Sequence, residues 1–159
     1  LQQAGQPSVT FHVDIPDQVI LLSLDATMIS QALTNLIKNA GEAIETRIEK
    51  GVALDLPPAI AISLADQGAQ IEITISDNGI GLPQDRAKLF EPYVTTRDKG
   101  TGLGLPIVKK IIEEHGGVLR LDDAEPIGDT QHYGAAATIE LPKLHAEDVG
   151  RKSKKVNEQ

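Results

Sequence analysis

The chain has 159 residues, 40% of them hydrophobic, which suits one domain with a sizeable core. Cysteine and tryptophan are absent, so disulfides and thiolate metal sites are excluded and the core must be aliphatic. A formal charge of −8 disfavours a general nucleic-acid or anionic-membrane surface, so any anionic ligand must be held by a local device.

No signal peptide and no membrane-spanning apolar run is present. The chain opens at Leu1 without a Met and reads as a piece of something larger. Leu1 to Ser8 is polar and reads as the end of a linker. Val9 to Val13 alternates as a short strand. Asp25 is placed to cap a long helix, in which Ile29, Leu33, Leu36, Ile37, Ala40, Ile44 and Ile48 recur at helical spacing. Lys50 to Pro58 breaks that helix. "AIAISLA" and "IEITIS" alternate with period two around the turn "DQGA", a β-hairpin. "DNGIGLP", Asp77 to Pro83, is a turn, and Asp85 to Phe90 suits a short helix. Glu91 to Gly102 is a polar, basic loop of functional length. A second helix follows, with Leu105, Val108, Ile111 and Ile112 on its apolar face and Gly116-Gly117 at its end. "VLRLD" and "AAATIEL" are two further strands, joined by Asp122 to Gly134. From Lys143 the chain is charged and expected to be disordered. Strands grouped as hairpins with two helices predict an α+β sandwich, the helices on one face of a mixed or antiparallel sheet.

Three segments carry chemistry. "GTGLGLPIVKK", Gly100 to Lys110, is no P-loop, because no Lys-Ser/Thr follows its glycines. It is no dinucleotide fingerprint either, since no strand precedes it. It reads equally as a hinge or as a helix start whose free N–H groups meet an anion, with Pro106 suited to the first turn. "DNGIG" has the ordinary chemistry of a turn; alternatively, Asp77 accepts a hydrogen bond from an exocyclic amine such as adenine N6, with Gly79 and Gly81 letting the base approach the backbone. Asn35 and Asn39 share a helix face. They suit either half-buried amides bonded to backbone or oxygen ligands reaching a Mg²⁺ shared with phosphates.

"NLIKNAGEAI", "DNGIGL", "LFEPYVTT", "GTGLGLPIV" and "GAAATIELP", in this order, resemble the boxes of the histidine-kinase ATP-binding domain. That domain is one of the wider family with gyrase B, Hsp90 and MutL. The phrasing is similar to nitrogen-regulation sensor kinases of the NtrB/NtrY type. The resemblance implies a two-layer α/β sandwich over residues 9–144, an ATP lid at about 91–104 and a disordered tail at 145–159. It implies ATP and Mg²⁺ as ligands, with Asn39 on the metal and Asn35 beside it on the phosphate side. Asp77 then takes the adenine amino group, and Gly79 and Gly81 shape the base pocket. Phe90 anchors the lid's near end. Gly100, Gly102, Leu103 and Gly104 present N–H groups to the phosphates, Thr101 and Leu105 belong to the same ATP-binding stretch, and Thr95, Thr96, Arg97 and Lys99 lie in the lid, where a cation can meet the γ-phosphate.

Within the family, hydrolytic members carry Glu where Asn35 stands here. Asparagine cannot take a proton from water, so the resemblance implies poor hydrolysis and a phosphoryl group kept for a protein acceptor. Glu42 replaces a basic residue that many sensor kinases have. None of the four histidines fits the acceptor. His12 lies in a strand, His132 in a loop and His145 in the tail, while His115 suits a cationic cap at a helix end. The expected partners are therefore a histidine-bearing dimerisation domain and the receiver domain of a response regulator, with no nucleic acid and no direct membrane contact. The isolated domain is expected to be monomeric, not self-phosphorylating and cytoplasmic, whether or not the full-length protein is membrane-anchored.

Overall fold

The helical periodicity after Asp25 becomes α1, Ala26–Glu49, in the computed structural model, which describes residues 8–91, 104–128 and 132–143. Asp25 adopts an extended conformation, and its Oδ1 accepts the Met28 N–H at 3.1 Å, satisfying one of the unpaired donors of the first turn. Ile29, Ala32, Leu36, Ala40, Ala43 and Ile44 are buried, and Leu33, Ile37 and Ile48 pack half-buried against the same core. A residue with no place in that apolar pattern, Arg47, is also fully buried.

Arg47 explains how the loop after α1 is built. The helix closes with the Val52 N–H bonded to the Arg47 carbonyl and the Gly51 N–H bonded to Ile48, both at 3.0 Å, around Gly51 at φ +69°. The Arg47 guanidinium then donates to the carbonyls of Val52 (3.2 Å), Ala53 (2.6 Å) and Leu56 (3.1 Å). Burial pushes its pKa down, and the nearby Asp55 charge opposes that shift. The far end of the loop is pinned by Asn78, whose Nδ2 donates to the Pro57 carbonyl at 2.8 Å and whose Oδ1 accepts the Ala59 N–H at 2.9 Å.

The strands are β1 (Thr10–Asp14), β2 (Ala59–Asp66), β3 (Gln70–Asp77), β4 (Val118–Asp123) and β5 (Ala135–Pro142), in the sheet order β1-β2-β3-β5-β4. β1 and β2 are parallel, and every other neighbouring pair is antiparallel. The parallel pair departs from the pure hairpin grouping, because α1 is the crossover between its strands. The β2–β3 hairpin turns where expected, with the Gly68 N–H on Asp66 Oδ1 at 3.0 Å. Register pairs Ile62 with Ile75, Ile73 with Ile139 and Leu119 with Ile139, so one face of the sheet is aliphatic. The alternate positions are polar, with Thr74 and Thr138 hydroxyls 3.5 Å apart and Arg120 paired to Glu140 and Glu72. Both helices therefore lie on the aliphatic face, giving the two-layer α+β arrangement.

The helix α2, Gly104–Glu114, buries Val108, Ile111 and Ile112 and has Pro106 in its first turn. Its end carries the same closing motif as α1, with the Gly117 N–H on Ile112 at 2.9 Å and the Gly116 N–H on Glu113 at 3.0 Å. His115 caps the end of α2 as expected, but by hydrogen bonds and not by the expected charge. Its Nδ1 donates to the Ile111 carbonyl at 2.7 Å, and its Nε2 accepts the Asp25 N–H at 3.0 Å. Only a neutral ring can accept at Nε2, so His115 ties the end of α2 to the start of α1 instead of facing the helix dipole with a charge. Phe90 closes a short 3-10 turn, Ala87–Phe90, with Lys109 Nζ 5.3 Å from its ring centroid.

Candidate functional site

Strand β3 delivers Asp77 at its last position, where the chain must turn, and four segments converge on that turn. Asp77 is 5% exposed, and its Oδ1 accepts the Gly79 N–H at 2.8 Å and the Ala135 N–H at 3.4 Å. The Ile80 N–H donates to the Ala43 carbonyl of α1 at 2.9 Å. Gly134, at the entry to β5, lies where any Cβ would strike the Asp77 carbonyl, so only glycine fits there. A buried carboxylate is thus set by two backbone N–H groups instead of being left to rotate.

Asp77 lines a cleft of about 240 Å³ together with Asn39, Ala43 and Thr46 of α1, Gly81, and Leu105 of α2. Most of the remaining lining is aliphatic, including Leu36, Ile75, Ile80 and Leu89. This volume lies below the ~300–1,000 Å³ usual for drug-sized ligands, so the described residues enclose part of such a ligand. An aliphatic lining around one buried carboxylate suits a mostly apolar group bearing a hydrogen-bond donor. The site has a second polar region where α2 begins. A Cβ on Gly104 would stand 3.7 Å from Asn39 Oδ1, so the N-terminus of α2 abuts the Asn39 amide. A helix start beside a carbonyl oxygen fits an anion with its counter-cation. Among the described residues no group of three or more His, Cys, Asp or Glu could hold a metal unaided. An ion here would need oxygen ligands from the anion as well as from Asn39.

The tertiary structure therefore gathers Asn39, Asp77, Gly81 and Leu105 around one cleft, with Gly104 at its edge. Asn35 lies on α1 one turn before Asn39, half-buried and outside the lining. Gly79 is also outside the lining, and its bare Cα lets the turn approach Ala43 of α1. Phe90 packs half-buried against the core near Lys109. Thr95, Thr96, Arg97, Lys99, Gly100, Thr101, Gly102 and Leu103 lie outside the described residues. Sequence reasoning missed Asn78, Gly134 and His132, whose ring Nε2 donates to the Gly79 carbonyl at 2.6 Å. The first two stand inside quoted motifs, and their roles depend on which strand lies alongside.

The family model of the histidine kinase-, DNA gyrase B- and HSP90-like ATPases matches residues 24–145. The nitrogen regulation protein NtrY of Azorhizobium caulinodans is 43% identical over 160 aligned residues, covering 96% of this chain and 19% of that protein. The chain thus spans about a fifth of that relative's length. Among solved structures, the mycobacterial sensor histidine kinase MprB superposes with a TM-score of 0.69 at 30% identity, covering 85% of this chain and 82% of that one. The catalytic domain of histidine kinase ThkA, in a nucleotide-free form, gives 0.66 at 31% identity, covering 85% and 79%. Five sequence boxes in order, a sheet-and-helix sandwich that converges them on one cleft, and this family match lead to one assignment: the chain belongs to the histidine kinase-, DNA gyrase B- and HSP90-like ATPase family, as a sensor-kinase catalytic domain.

Proposed function

We propose that the chain binds Mg-ATP in the Asp77 cleft and donates the γ-phosphoryl group to a histidine on a separate dimerisation domain, for relay to a response regulator. The observation that carries this reading is the pairing, in one aliphatic cleft, of a buried carboxylate with an α1 asparagine that abuts the start of α2. Asp77 suits the amino group of adenine, a donor that a fixed carboxylate selects over a carbonyl. The side chains of Ile75, Ile80 and Leu105 suit the faces of the base. Asn39 Oδ1 suits Mg²⁺, and the N–H groups opening α2 suit the phosphates. Bound Mg-ATP would supply the transferable phosphoryl group, with the ion offsetting its charge.

What this chain contributes is binding and orientation. Asn35 has no proton-accepting group, so the residue that hydrolytic members use to activate water is missing at that position. Thr95, Thr96, Arg97 and Lys99 are assigned to the lid, with a cation there meeting the γ-phosphate. Residues 9–144 form the catalytic domain, with the lid at about 91–104. No self-phosphorylation is expected, because none of the four histidines belongs to a dimerisation helix: His12 lies in strand β1, His115 and His132 are engaged in bonds to backbone, and His145 lies outside the described residues.

The reading is tested by titrating ATP with and without Mg²⁺, then supplying a histidine-bearing dimerisation domain. Magnesium-dependent binding followed by phosphohistidine on the added domain is the expected result. Binding without transfer would favour a regulatory nucleotide module, and no binding would end both readings. The domain is assigned to the cytoplasm as part of a signalling protein; among the described residues no helix is long and apolar enough to cross a membrane.

A further inference from the structure

The turn after β3 contains a glycine, and glycine has the widest backbone freedom of any residue. Something must therefore hold the peptides on either side of Gly79, because the Gly79 N–H is a donor that aims Asp77. The Gly79–Ile80 peptide is held at both ends: its N–H donates to the Ala43 carbonyl at 2.9 Å, and its carbonyl accepts from His132 Nε2 at 2.6 Å. Three of the four residues from His132 to Ala135 act on the same turn. His132 holds the Gly79 carbonyl, Gly134 packs on the Asp77 carbonyl, and Ala135 donates to Asp77 Oδ1. The link between β4 and β5 thus clamps the turn from the side opposite α1.

We infer that His132 is a positioning residue for base selection: by fixing the Gly79 carbonyl it sets the aim of Asp77, and so the preference for adenine over guanine nucleotides. This rests on the reading of Asp77 as the partner of the adenine amino group. Guanine presents a carbonyl where adenine presents that amine, and a fixed carboxylate repels it. A carboxylate free to swing away discriminates less. The phosphate end is assigned separately, to Asn39 of α1 and the start of α2, whereas the His132 ring bonds to the Gly79 carbonyl at the base end. Loss of the His132 bond therefore lowers selectivity, and does not weaken all nucleotides equally as simple destabilisation would.

The test is titration of ATP and GTP into the wild-type chain, His132→Ala, His132→Gln and Asp77→Asn. His132→Ala is expected to reduce the ATP-over-GTP preference by about tenfold, the scale of one lost hydrogen bond. His132→Gln, whose amide N–H lies at a similar reach, is expected to restore most of it. An unchanged preference in His132→Ala overturns the inference. If Asp77→Asn also leaves the preference unchanged, the adenine reading of the cleft falls too. If Asp77→Asn removes the preference while His132→Ala keeps it, only the role of His132 falls. Nitrogen NMR of the wild-type ring gives a measurement that needs no variant. A proton on Nε2 is expected, and a neutral ring bare at Nε2 overturns the proposal, since it could not donate to Gly79.

Discussion

Gly79 lies against Ala43 so closely that a Cβ on residue 79 would stand 2.5 Å from the Ala43 carbonyl carbon and 2.6 Å from its methyl group. The obstructing atoms are mostly helix backbone, which cannot turn aside as a long side chain can. Gly79→Ala must therefore push the turn off α1 and stretch the Ile80–Ala43 bond. A loss of about 1–3 kcal/mol is expected, read as a lower urea midpoint, with ATP affinity falling as well because Asp77 moves with the turn.

Asp77→Asn keeps an oxygen for the Gly79 and Ala135 N–H groups and so should fold. It removes the charge that strengthens a bond to the adenine amine. Such a bond is worth about 1.5–3 kcal/mol, so ATP affinity should fall by about ten- to a hundredfold in calorimetric titration. A change smaller than twofold would remove Asp77 from the base site.

Arg47→Leu is shorter and removes the guanidinium donor from the carbonyls of Val52, Ala53 and Leu56, of which Ala53 keeps the Leu56 N–H at 2.9 Å. Each buried, unpaired carbonyl costs about 1–3 kcal/mol unless water reaches it. The expected result is a lower melting temperature together with proteolytic cleavage in the loop at 52–56. Arg47→Lys retains the charge but cannot span three carbonyls, and should fall between the two.

Asn35→Glu installs a carboxylate at the position hydrolytic family members use to activate water. ATP turnover without an acceptor domain should rise by about tenfold or more, the low end of what a general base contributes. Phosphate release assays on both chains check this. No rise would place the barrier to hydrolysis elsewhere than at Asn35.

The Lys143 ammonium, donating to Asp66 at 2.7 Å, and then the Gly68 N–H hold the Asp66 carboxyl below its usual range. A carboxyl whose folded-state pKa is depressed stabilises the fold above its unfolded pKa, and that contribution fades as pH falls through the lower folded value. Asp66→Asn should thus lose a little stability at neutral pH and show a shallower decline in melting temperature on acidification. A melting profile parallel to wild type would show that the contact with Lys143 is screened out.

Several features of this protein are decided locally and are legible in the chain alone. Asp25 caps α1 because its side chain needs only the N–H three residues on, and "DQGA" turns because the Asp66 side chain needs only the Gly68 N–H two residues on. The aliphatic faces of α1, α2 and the hairpin follow from periods of about 3.6 and 2. The five motif boxes, read in order, carried the family.

Other features depend on contacts between elements distant in sequence. Nothing local distinguishes Gly79 from a turn glycine, because the atoms that forbid its Cβ belong to Ala43. Arg47 is solvated in any local reading of its helix; it is buried because the chain beyond α1 folds back and offers carbonyls. His115 suits a charge at a helix end until Asp25 arrives with an N–H for it. A motif specifies which groups are available, whereas the partner that desolvates and bonds each one comes from the register of the sheet and the packing of the helices. For that reason the sequence put Asp77 forward only through its resemblance to a family, and only the tertiary structure decided which backbone N–H groups hold its carboxylate.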